Sequence, residues 1–72
     1  EYVCVNVDDV ILHIPDTVSY EQAAPVSGSA ITVMNFLCGL AQINNSHSVL
    51  IYGASGGVGT YAVQIAKYFG AE

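Results

Sequence analysis

The stretch SVLIYGASGGVG, residues 48–59, limits what this chain can fold into more than any other part of it. SVLIY is a short continuous apolar run, the pattern of a strand in a parallel sheet buried on both faces. Glycines at 53, 56, 57 and 59 then demand a tight turn. Beyond it Val58, Tyr61, Ala62, Ile65, Ala66 and Phe69 recur at steps of three and four, which places them on one helical stripe. Gly70 follows where a helix takes its C-terminal cap. The order predicts an α/β architecture: one βα unit with a Gly-rich turn, at the start of a Rossmann-type doubly wound parallel sheet. Such a strand needs parallel neighbours and helices on both sides. Because 72 residues supply few of either, the expectation is a piece of a larger domain.

A strand that runs through glycines into a helix aims backbone N–H groups and the positive end of the helix dipole at one spot, and so favours an anion. The dinucleotide fingerprint is G-x-G-x-x-G. Here the six matching residues are Ala54, Ser55, Gly56, Gly57, Val58 and Gly59, with alanine at the first glycine position. Gly56 would admit a pyrophosphate to the backbone, Gly59 would let the helix pack on the strand, and Val58 would anchor the first helical turn in the core. A phosphate-binding P-loop is excluded, since Gly59 is followed by Thr60 and not by lysine. A Tyr-x-x-x-Lys pair is excluded as well, because Val63 stands four residues before Lys67. The nucleophile elbow G-x-S-x-G fits residues 53–57 literally and would make Ser55 the nucleophile of an acyl hydrolase. That elbow leaves Gly56 and Gly59 without a purpose, whereas the dinucleotide reading uses both.

Upstream, Val3, Val5 and Val7 alternate with Tyr2, Cys4 and Asn6, which predicts a strand closed by a solvated Asp8-Asp9 turn. VILHIPD reads as a short extended piece ended at Pro15, with His13 a packed or surface histidine and no metal ligand. Ser19 and Gln22 form a capping-box signature that opens a short helix. Pro25 can either begin a second helix or break the first. Residues 29–41 are helical in pattern but apolar nearly all round, so such a helix must be covered on most sides. INNSHS is a polar turn with His47 as ordinary loop chemistry.

Charge narrows the partners. Lys67 is the only base in a chain of net charge −5, which excludes a cationic face for nucleic acid or anionic lipid. Residues 22–66 hold no Asp, Glu, Lys or Arg, and part of that stretch is about long enough to cross a bilayer. Pro25, Ser27, Gly28, Ser29, Thr32, Asn35 and Gln42 within it, and the lack of flanking bases, favour a helix buried between protein layers. No basic region marks a signal peptide at Glu1. Cys4 and Cys38 form no CxxC pair or ligand cluster and read as two reduced thiols, pointing to the cytoplasm.

SVLIYGASGGVGTYAVQIAKYFGAE resembles the start of the cofactor domain in quinone-oxidoreductase-like medium-chain dehydrogenases/reductases. EYVCVNVDDVILHIPDTVSYEQAA resembles the end of their GroES-like, mostly β catalytic domain. Together these cover essentially the whole chain, and two linked motifs in order demote the hydrolase. The resemblance implies residues 1–28 as the end of the catalytic domain, and residues 29–72 as a connecting helix followed by the first βα unit of the dinucleotide-binding domain.

It also implies cofactor binding by Thr32, near the start of the connecting helix and toward the nicotinamide end, and by Ala54, Ser55, Gly56, Gly57, Val58, Gly59 and Thr60. In zinc-dependent relatives a cysteine ligand lies four residues before the threonine. Gly28 stands at that position here and cannot bind zinc, while Cys38 lies on the other side of Thr32. The implied enzyme is therefore a zinc-independent reductase using NADPH in preference to NADH, with a quinone, enone or similar small molecule as substrate. No side chain of this segment is expected to act as catalytic acid or base. A homodimer is the assembly the resemblance carries. The chain departs from the family pattern at Ser27, at Ala30-Ile31 before the threonine, and at Asn44-Asn45-Ser46-His47 in place of a Pro-Gly turn.

Overall fold

The computed structural model describes residues 2–72. It contains α1 (Tyr20–Ala23), α2 (Ile31–Val33) and α3 (Gly57–Tyr68), with π-helical segments Val26–Ala30 and Met34–Leu40 flanking α2. No strand and no sheet occur among the described residues, which overturns the expected doubly wound parallel sheet and the β-rich upstream region. The reason is pairing. A strand exists only when its backbone N–H and C=O groups meet those of a neighbour. Residues 2–7 find none, and Tyr2, Val3, Val5 and Val7 are exposed on both sides of the extended backbone. In residues 47–52 two bonds form, from Glu72 N–H to the His47 carbonyl (3.0 Å) and from Val49 N–H to the Glu72 carbonyl (2.7 Å). Two bonds are too few for a ladder. Val49 and Ile51 are half-buried, while Leu50 and Tyr52 are 97% and 102% exposed, so this segment is covered on one face and not on both.

Helix α1 opens as its sequence predicts. Gln22 N–H donates to Ser19 Oγ (3.1 Å) and Ser19 N–H donates to Gln22 Oε1 (2.9 Å), the reciprocal pair of a capping box. Pro25 does not break the run. It is the N-cap of Val26–Ala30, and its carbonyl accepts from Ser29 N–H at 3.1 Å. The whole run Tyr20–Leu40 is helical over 21 residues, and by length and composition alone it could cross a membrane. Winding widens around α2, with Ala41 N–H reaching the Phe36 carbonyl five residues back at 2.9 Å.

The expectation that residues 29–41 of this run are covered on most sides is not met. Val33 is its one buried residue, whereas Ile31, Met34, Phe36 and Leu40 are exposed. A helix apolar all round needs more than one neighbouring layer, and α3 covers only part of it. The core reduces to Val33, Ala62 and Ala66, where α2 meets α3. The radius of gyration, 14.5 Å, exceeds the roughly 11 Å of a compact chain this long.

Candidate functional site

The turn between residue 52 and α3 is built by its glycines. Gly53 takes φ +82°, a left-handed conformation that reverses the chain without a Cβ penalty. Its carbonyl then accepts from Gly56 N–H at 3.1 Å. Gly56 is the N-cap of α3, with extended φ −76° and ψ 171°. Thr60 N–H makes the first helical bond, to the Gly56 carbonyl at 2.9 Å.

The N–H groups of Gly57, Val58 and Gly59 precede that first donor and so have no acceptor one helical turn back. Gly56 has no side chain to cap them, and α3 shows no side-chain cap bond. Ala54, Ser55, Gly56, Gly57 and Val58 are exposed and Gly59 is half-buried, so the start of the helix and the positive end of its dipole lie at the surface. Lys67 lies in the last turn, about 15 Å along the helix from its start. No lysine or arginine therefore stands at the turn.

Gly59 carries the tightest constraint. A Cβ there would collide with the Gly53 carbonyl oxygen and lie 2.8 Å from Ala54 Cα. The first turn of α3 thus rests directly on the turn backbone, the close packing its spacing predicts. Gly57 touches a different neighbour: a Cβ there would lie 3.4 Å from Ser29 Oγ, so Val26–Ala30 packs beside the helix start. Nothing in the sequence pattern singles out Ser29. Val58 does not anchor a core, being 50% exposed, because no layer lies over that side of the helix.

Both threonines donate locally. Thr60 Oγ1 donates to the Gly56 carbonyl at 2.8 Å, and Thr32 Oγ1 donates to the Gly28 carbonyl at 2.8 Å. The helical run carrying Thr32 packs against α3, but no hydrogen bond joins Thr32 to the glycine turn. Residues 54–60 form one contiguous segment, and the Thr32 hydroxyl is engaged within its own helical run.

The nucleophile elbow fares worse in this geometry. An elbow holds its serine on a strained backbone. Among the described residues the only non-glycine in the left-handed region is Gln42, so Ser55 carries no such strain. The histidines and aspartates upstream assemble nothing either. Asp9 closes a turn by accepting from Asn6 N–H at 3.3 Å, and His47 Nδ1 accepts from Asn44 N–H at 3.0 Å. No group of three metal-ligating side chains occurs among the described residues.

Reducing polyketide synthases are among the relatives of this chain. It is 46% identical over 59 residues to the highly reducing polyketide synthase dmxL2 of Cryptosporiopsis sp. (strain 8999), covering 82% of this chain and 2% of that protein. It is 41% identical over 64 residues to the highly reducing polyketide synthase claI of Penicillium crustosum, covering 89% and 3%. With the reducing polyketide synthase FUB1 of Gibberella fujikuroi (strain CBS 195.34 / IMI 58289 / NRRL A-6831) it shares 41% over 58 residues, covering 81% and 2%. The chain therefore spans a small part of the length of the relatives it matches. No family model matches it, and no solved structure does.

Proposed function

We propose that this chain is the cofactor-facing segment of a zinc-independent, NADPH-dependent reductase related to medium-chain dehydrogenases/reductases, acting within a polyketide-synthase-type enzyme. The observation that carries this reading is the uncapped start of α3, held against the turn backbone by Gly59. Three N–H donors at a glycine-rich helix start with no capping side chain suit a pyrophosphate, which needs close backbone approach and no particular side chain. NADPH, when bound, supplies a hydride for an activated carbon–carbon double bond, such as that of an enone or an unsaturated acyl chain. What the chain's own residues contribute is position. Gly57, Val58 and Gly59 would hold the pyrophosphate through the backbone, and Ala54, Ser55, Gly56 and Thr60 would shape the approach. Thr32 would border the nicotinamide end once its hydroxyl turns from the Gly28 carbonyl. Residues 1–28 then belong to the catalytic domain and residues 29–72 to the dinucleotide-binding domain. The same reading places the enzyme in the cytoplasm as a homodimer, with a small-molecule substrate and neither nucleic acid nor membrane as partner.

The test uses the polypeptide expressed from its complete reading frame, with NADPH binding followed by nicotinamide fluorescence and turnover by NADPH oxidation. Ser55→Ala should keep most of the reductase turnover, since the turn binds through its backbone. Loss of nearly all turnover with NADPH binding intact would instead mark Ser55 as a nucleophile. An unaltered protein that binds no NADPH would end the proposal.

A further inference from the structure

We draw no further inference here: the strongest candidate, the exposed apolar face of the helical run Tyr20–Leu40 that carries Ile31, Met34, Phe36 and Leu40, carries nothing because no feature of the structure shows what covers it.

Discussion

The two longest helical stretches are each followed by a left-handed residue, but not the same one. After α3, Gly70 adopts φ +81°. Gly70 N–H donates to the Lys67 carbonyl at 3.0 Å, and Ala71 N–H donates to the Ala66 carbonyl at 3.1 Å. That is a Schellman motif with glycine at its left-handed position. After the run Tyr20–Leu40 the left-handed residue is Gln42, at φ 52°. Ala41 N–H reaches back to the Phe36 carbonyl, and Ile43 N–H reaches the Leu37 carbonyl at 3.0 Å, one residue further than in the usual motif. One helix is closed by the residue its geometry asks for, and the other by a residue with a Cβ in the way. Local chemistry and packing agree in α3, which keeps regular α winding and buries Ala62 and Ala66. They disagree in the longer run, which widens into π winding and buries only Val33.

The sharpest way to break this contrast is at the start of α3. Gly59→Val adds a Cβ where the Gly53 carbonyl already stands, with Ala54 Cα at 2.8 Å. Backbone atoms cannot rotate aside like a side chain, so the turn must open or the helix must shift. Overpacking of this kind costs about 1–3 kcal/mol, and an unyielding backbone neighbour puts this site at the upper end. The expected outcome is a lower urea midpoint in the complete polypeptide and loss of the NADPH binding proposed for the turn. Gly59→Val with wild-type stability and wild-type NADPH binding would refute both the packing argument and the site built on it.

The two helix ends make a matched pair of smaller perturbations. Gly70→Ala places a Cβ in a left-handed conformation and 3.1 Å from Asn45 Cβ, and should destabilise by about 1–2 kcal/mol. Gln42→Gly removes the same penalty and should stabilise, by about 1 kcal/mol or less once the added freedom of the unfolded chain is counted. Opposite signs in urea denaturation would establish that each end is limited by the residue at its left-handed position. If Gln42→Gly destabilises instead, its side chain makes a contact that offsets the strain, and the contrast between the ends falls.

Legibility in the sequence follows the same division between local and tertiary causes. The capping box at Ser19 and Gln22, the polar turn at Asn44, the cap at Gly70 and the close approach at Gly59 each depend on a few adjacent residues, and each is readable from spacing. The stripe on α3 is readable at its centre, where Ala62 and Ala66 are buried, but not at its ends, where Val58 and Phe69 are exposed. The apolar run before the turn and the alternation of residues 2–7 point to sheet, and the structure has none there. Their patterns describe surfaces suited to pairing, and pairing partners are not a local property. The polar turn and the apolar helix are both free of ionic charge, yet only the helix requires other layers to cover it. For the candidate site the turn is legible down to Gly59, whereas the place of Ser29 beside Gly57 depends on how two separate helices meet.

The smallest expected effect tests whether the one-faced covering of residues 48–52 persists in the complete polypeptide. Val49 and Ile51 turn toward α3, while Leu50 and Tyr52 are 97% and 102% exposed. In residues 1–72 alone, Leu50→Lys meets no neighbour and loses no burial, so stability should stay within about 0.5 kcal/mol. Ile51→Ala in the same chain removes apolar surface that is already half covered, and should cost more than Leu50→Lys. Measured in the complete polypeptide, Leu50→Lys separates two situations. A change still within that small range means that Leu50 faces water there too. A loss of several kcal/mol means that another layer buries Leu50, because a lysine at a covered position strands an unpaired charge. The difference between the two backgrounds, read from urea midpoints at equal slope, thus reports whether Leu50 is covered in the complete polypeptide.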